Sequence, residues 1–333
     1  MAVFPTTGDF ITSPEYSGGF IPQLWSNKLN AKFYASTMMT EIANTDWEGE
    51  IKNQGDTIRI RTAPSITIRD YGGAGSTLAS EVPAPIYTDM QINQGKYFSV
   101  QVNDVLAHQA DMDLMNMFTD DAAKQLKITI ESDCFFQWFV TEGADAANKG
   151  ATAGALSSEY NLGTDIAPID QATPANVLKT ILRMSAALDE QNVPEEGRWL
   201  IITPYDRQLL MQTDIAQAYF TGDASSTIRT GKIGMLDRFT VYVSNLMPKG
   251  AAGRALVPGL SATASGASLS SAKTRRLMVA GTKASCAFAS QISKTEPLRN
   301  QTDFGDIVRG LAVYGRKVVK DEALVTALIG SAT

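Results

Sequence analysis

The sequence predicts an α+β chain with two extended appendages, and three patterns carry that reading. Large apolar residues recur at four-residue steps from Leu114 to Trp138, which marks a long helix. Polar and apolar residues alternate in short runs between Gly55 and Val102, which marks exposed strands. A helix–strand–helix order from Thr173 to Met211, followed by strand patterns as far as Ile329, marks a compact α/β unit. The 333 residues suffice for about two domains with substantial cores.

Taken in order, residues 1–45 are broken by Pro5, Pro14, Gly18, Gly19 and Pro22. A helix is expected from Pro22 to Met39, with Leu24, Trp25, Leu29 and Phe33 on one face. This N-terminal arm has no core of its own and must lie against the body or a neighbour. Residues 46–96 form an extended loop. Gly55-Asp56 opens a strand at Thr57–Thr62, Ser65–Arg69 reads as a second, and Tyr71–Gly75 is a glycine-rich tip. Return strands follow at Ile86–Ile92 and Tyr97–Val102. With so few bulky apolar residues the excursion is marginal alone in water. It is therefore expected to serve assembly more than subunit folding.

The helix Leu114–Val140 would be a rod of roughly 40 Å, closed by Gly143. Phe118, Leu126 and Ile130 are expected to face the core, against strands around Phe288 and Val313. Residues 143–172 read as a linker. Thr173 caps a helix with Pro174 at its first position, ending near Asn192-Val193-Pro194. Trp199–Ile202 is a buried strand, Pro204 opens a further helix and Phe239–Val243 is another strand. Gly, Ala and Ser dominate residues 250–272, a flexible insertion. Strands are then expected at Leu277–Ala280, Ala284–Ile292, Ile307–Val319 and Glu322–Ile329.

The chemistry of recognised active sites is sparse. Apolar residues make up 44% and charged residues 19%, and the net charge is −6, so no basic footprint for gripping phosphates is present. The densest basic cluster, Lys273, Arg275 and Arg276, reads as a solvated loop edge. No leader segment and no apolar run of about 18 residues occurs, so no membrane association is expected. Cys134 and Cys286 sit among apolar neighbours and read as buried free thiols of a cytosolic protein. The one histidine, His108, reads as structural. Gly72–Gly75 lacks a phosphate-loop pattern. Asp111, Asp113 and Asn116 lack the glycine and glutamate of a calcium loop and suit a helix start, while Asp120 and Asp121 diverge on a helix. No catalytic, cofactor or metal site is expected, and the chain reads as a non-enzyme.

The order of elements resembles the Hong Kong 97-type capsid fold of tailed phages, from about residue 20 to the end. Locally, Gly55–Ile60 is similar to the strand that opens that family's extended loop. Gly231-Lys232-Ile233-Gly234 with Phe239-Thr240-Val241 is similar to a passage of its axial domain. Phe304–Val318, followed by Glu322–Val325, is similar to its closing strands. The resemblance implies an N-terminal arm at 1–45, an extended loop at 46–96 and a peripheral domain at 97–145 and 283–320 built on a spine helix. It places an axial domain at 146–282 and 321–333. It also implies a major capsid protein that self-assembles into pentamers and hexamers of an icosahedral shell around double-stranded DNA. Such a protein would assemble in the host cytoplasm and reside in the virion capsid. It would work with a scaffolding protein, a portal protein and in some cases a decoration protein, and would touch DNA non-specifically.

Arg59, Arg61, Arg69, Asp70 and Tyr71 on the extended loop are the candidates for contact between subunits. No scaffold-like helical segment precedes the arm, so the scaffold is expected to be a separate chain. Lys52 and Lys96 flank the loop, yet no covalent cross-link is expected from them. Two other readings stay open: an encapsulin-type compartment shell, which shares the fold, and a cytosolic enzyme with an unrecognised site. Shell-sized particles would rule out the enzyme.

Overall fold

The structure, a computed structural model, describes residues 34–49, 57–64, 66–72, 80–104, 114–165, 167–170, 174–213, 234–251, 256 and 274–331. In chain order its strands are Thr57–Thr62 (β1), Ile86–Gln91 (β2), Gln94–Asn103 (β3), Ile169–Asp170 (β4), Arg198–Ile202 (β5), Met235–Leu236 (β6), Phe239–Val243 (β7), Lys249–Ala251 (β8), Thr274–Thr282 (β9), Cys286–Arg299 (β10), Gly305–Val318 (β11) and Leu324–Ser331 (β12). The α-helices are Met39–Ile42 (α1), Leu114–Phe136 (α2), Pro174–Glu190 (α3) and Pro204–Leu210 (α4).

Among the described residues the strands form three sheets. β1 and β2 make an antiparallel ribbon. β10, β11 and β3 make a long antiparallel sheet in that order. The largest sheet runs β4-β12-β9-β5-β7-β6, with β8 also on β9; β5 and β7 are parallel, as are β12 and β4.

The period-two alternation of a strand explains how one sheet serves two cores. Leu200, Ile202, Met278 and Ala280 point to the face covered by α3 and α4, where they meet Val177, Ile181, Met184, Leu188 and Leu209. Their sequence neighbours Trp199, Ile201, Leu277 and Val279 point to the opposite face. There they join Cys134, Phe135, Trp138 and Phe139 of the long-helix region and Cys286, Phe288 and Tyr314 of the three-stranded sheet. Every residue of β5 is buried, which is why Trp199–Ile202 is a continuous apolar run and not an alternating one, and the buried Arg198 before it is paired with Asp189 at 2.7 Å. At α4, Thr203 and Asp206 cap the first turn reciprocally, with Pro204 at the helix start.

Four expectations are corrected. Residues 34–38 belong to no helix and the helix there is only Met39–Ile42; positions 22–33 lie outside the described residues. Residues 66–69 belong to no strand. The expected linker is packed: Ala153 and Leu162 are in the core with α3, and the buried Asn148 donates to the carbonyls of Glu322 at 2.7 Å and Leu324 at 3.0 Å. The helix stripe also differs. Of the three residues expected to face the core, Phe118 and Leu126 are only half-buried and Ile130 packs at its margin; the C-terminal members of the row, Cys134 and Trp138, enter the core together with Ile128 and Phe135, which widen the expected stripe. A row at every fourth residue winds around a helix of about 3.6 residues per turn, so no single face holds it from end to end. Past Phe136 the helix widens to a π-turn, Gln137–Glu142, that stops at Gly143 with φ +72°. Thr173 lies outside the described residues, as does almost all of the 250–272 insertion.

Gly163 shows how tightly the former linker is held. Its φ is +82°, and an added Cβ would stand 2.2 Å from the Leu328 carbonyl oxygen. Gly163→Ala is expected to lower stability by at least about 2 kcal/mol through strain in β12, measured by urea unfolding.

Candidate functional site

The root of the extended loop is built by the β1–β2 ribbon. Alternation along β1 turns Ile58 and Ile60 inward, where with Met90 and Ile92 they pack on Ala287 and Ala289 of β10. Trp47 and Val313 border this small cluster. The root of the loop thus leans on β10 of its own subunit. On the outward face Arg59 stands opposite Asp89 and grips it with two bonds, Nε to Oδ1 at 2.9 Å and Nη2 to Oδ2 at 3.2 Å. The guanidinium also lies 4.2 Å over the Tyr87 ring. The pairing raises the Arg59 pKa and lowers that of Asp89.

The remaining predicted contact residues sit farther out. Arg61 projects from the same face of β1 as Arg59 and is exposed. Arg69, Asp70 and Tyr71 lie together on the distal limb, all exposed. The two limbs touch where the Thr67 amide donates to the Glu81 carboxylate at 3.3 Å. Sequence reasoning missed the apolar side chains around them: Ile66, Ile68 and Val82 are 64%, 89% and 91% exposed. Their alternation was the available signal. It reads as a half-buried strand, but no partner strand or core lies beneath it among the described residues.

A second exposed surface is the outer face of the three-stranded sheet. Tyr97 stands opposite Leu311, and Arg309 and Lys294 pair with Glu296. At the sheet's far end Arg299 bridges Asp104 and Asp306, beside the exposed Phe304.

Between the ribbon root and the π-turn lies a polar cavity of about 280 Å³, lined by Asp89, Gln91, Gln94, Glu142, Arg316 and Lys317 among others. Its charges are mixed and largely committed: Lys317 lies 3.4 Å from Glu142, and Arg316 pairs with Asp133. Among the described residues no cluster of His, Cys, Asp and Glu fits a metal ion, and no helix is long and apolar enough to cross a membrane. His108, Asp111, Asp113, Lys52 and Lys273 lie outside the described residues. Asp121 accepts the Tyr34 hydroxyl at 2.7 Å. Both cysteines are buried and free, and burial pushes the Cys286 thiol up to about 12. Arg275 and Arg276 are not a solvated edge: they sit on β9, bound to Asp165 at 2.6 Å and to Asp206 at 3.1 Å.

A family model described as phage capsid protein matches residues 87–327, well over half of the chain. The chain belongs to the phage capsid protein family. This capsid protein also superposes on solved capsid structures over nearly its whole length. With Mycobacterium phage Che8 the TM-score is 0.70 at 24% identity, covering 93% of this chain and 97% of that one. With the capsid of Cyanophage P-SCSP1u it is 0.69 at 14% identity, covering 100% of both. With the mature capsid of bacteriophage PhiM1 it is 0.65 at 12% identity, covering 94% and 92%. No curated protein sequence matches the chain. The fold is the Hong Kong 97-like fold, and the resemblance to major capsid proteins of tailed phages holds. The capsid protein is a structural component of the virion shell.

Proposed function

We propose that this capsid protein assembles into pentamers and hexamers that close an icosahedral shell around double-stranded DNA. The observation that carries the reading is the distal part of the extended loop, where Ile66, Ile68, Tyr71 and Val82 stand in solvent without a covering element among the described residues. In a closed symmetric assembly each subunit buries such a surface on a neighbour. Arg61, Arg69, Asp70 and Tyr71 take the intersubunit contacts, and Arg59 acts by stiffening the ribbon through Asp89. The arm is assigned to 1–45, the extended loop to 46–96, the peripheral domain to 97–145 and 283–320, and the axial domain to 146–282 and 321–333. These two domains share one core through Trp199, Ile201, Phe135 and Trp138, which supports their folding as one unit. A separate scaffolding protein, a portal protein and, in some shells, a decoration protein complete the assembly, which forms in the host cytoplasm. Contact with DNA is non-specific, in keeping with the net charge of −6.

The test is electron microscopy of the purified chain, alone and with the phage's scaffolding protein. Closed particles of uniform size with fivefold vertices are expected. Monomer alone under every salt and scaffold condition would refute the reading, and particles filled by an enzyme cargo would return it to a compartment shell.

A further inference from the structure

On α2, one carboxyl group is buried where apolar packing alone would suffice. Glu131 is 1% exposed and shares its helix with Ile128, Cys134 and Phe135 of the core. Its Oε2 accepts two backbone N–H groups, from Met38 at 2.8 Å and from Met39 at 3.1 Å. These amides open α1, whose N-cap residue Met38 offers no side-chain cap of its own. Its Oε1 has no hydrogen-bond partner among the described residues. The segment from Tyr34 to Asn44 is thus tied to the body at three places. Tyr34 donates to Asp121, Glu131 holds Met38 and Met39, and Asn44 exchanges backbone bonds with Cys286 and Phe288 at 2.8 and 3.0 Å.

We propose that Glu131 is a proton-operated latch: with its carboxyl protonated it holds the segment Tyr34–Ala43 on α2, and on losing the proton it loosens that segment from the body. A neutral carboxylic acid keeps both bonds and buries no charge: Oε2 accepts the two amides as a carbonyl oxygen, and the proton resides on Oε1, where the cost of an O–H without an acceptor among the described residues is smaller than that of a buried charge. The carboxylate keeps the two amide bonds but carries a charge into an apolar cluster.

The surrounding groups do not relieve that charge. On α2 itself the neighbour is Cys134, whose thiol is raised first by burial and then by Glu131. β10 contributes Cys286, and β3 contributes Lys96, which acts on Cys134. On β11, Tyr314 donates to Asp133 at 2.6 Å and Arg316 pairs with the same carboxylate. On the segment, Tyr34 is bound to Asp121 with Lys124 4.8 Å from its ring centre, and Glu41 is exposed. Burial accordingly pushes Glu131 from the ordinary 4.5 up to about 7, against the smaller downward pull of the two amides. Because the folded value is raised, the holding contribution is full below about 4.5 and is lost as pH rises through about 7. Met38, Ile42 and Ala43 are buried at the edge of the core that also holds Trp199 and Ile201, so release uncovers apolar surface there, while β5 keeps its backbone pairing with β7 and β9. The latch stands on the subunit's own geometry and does not depend on the shell reading.

Hydrogen exchange of the full-length unassembled chain, corrected for intrinsic exchange, tests this. In the wild type, protection of the Met38 and Met39 amides is expected to fall on the order of 50-fold from pH 5 to pH 8. In Glu131→Gln, whose neutral amide oxygen accepts the same bonds, protection should be equal at both. A flat wild-type profile would overturn the latch, as would a Glu131→Gln profile that falls like the wild type. The wild-type measurement decides alone if the variant does not fold. The amides of Leu200 and Ile201 in β5 should keep their protection; if they lose it in parallel, the event is global unfolding and the latch is refuted.

Discussion

Trp138→Ala is expected to lower the unfolding free energy of the unassembled subunit by about 3–5 kcal/mol, the range for large aromatic-to-alanine changes in a closed core. Trp138 is fully buried, with ring centres 6.5 Å from Phe135 and 6.3 Å from Phe139. Phe139 in turn stands 6.2 Å from Trp199 of β5. The chain of rings joins the end of the long helix to the large sheet, and the same cluster takes in Phe288 and Tyr314 of the three-stranded sheet. Removing the indole therefore opens a cavity at a junction of three elements, none of which can move in to fill it without breaking its own hydrogen-bond ladder. Leu126→Ala, twelve positions earlier on the same helix, is the internal comparison. Its half-buried side chain should cost only about 1–2 kcal/mol. Urea unfolding of both variants measures the contrast. Equal losses would mean that the helix buries the same face along its whole length.

That contrast also shows what the sequence disclosed and what it did not. The long helix, its stop at Gly143, the buried strand Trp199–Ile202 and the closing strands are legible because local pattern and tertiary role agree there. Which part of the helix stripe is buried, its C-terminal end and not Phe118 or Leu126, was not legible from the row. The partner that decides the face, β5, lies some sixty residues away in sequence and cannot be inferred from helix periodicity. The stretch 143–172 reads as a linker because its residues are small and polar. Its order comes from Asn148 and Gly163 meeting the last strand of the chain, a contact with no local signature. At the candidate site, Arg59 reads from the sequence as a contact for a neighbouring subunit. Cross-strand register sets it against Asp89, and register depends on the pairing of two distant segments. Ile66-Thr67-Ile68 failed in the opposite sense: its alternation is that of a half-buried strand, yet Ile66 and Ile68 are both exposed and belong to no strand.

Replacing Ile66, Ile68, Tyr71 and Val82 together with serine is expected to reduce particle yield by more than about tenfold while leaving the melting temperature of the unassembled subunit nearly unchanged. All four side chains are more than half exposed and none belongs to a buried cluster, so their loss removes little from the folded monomer. Across an interface each would contribute about 1.5–3 kcal/mol on burial, and about 1.4 kcal/mol is already tenfold in an association constant. A shell repeats that deficit at every subunit contact. Arg69→Glu, which sets a second acid beside Asp70, should act in the same direction but more weakly, because exposed charges govern encounter and register more than affinity. Arg59→Glu behaves differently. It places two carboxylates opposite each other on the ribbon and removes the contact over Tyr87, so it should lower subunit melting as well as assembly. The competing view is that the distal loop folds against its own subunit. On that view the fourfold serine variant would melt early, and whatever remained folded would assemble normally. Melting and particle yield measured on the same preparation separate the two outcomes.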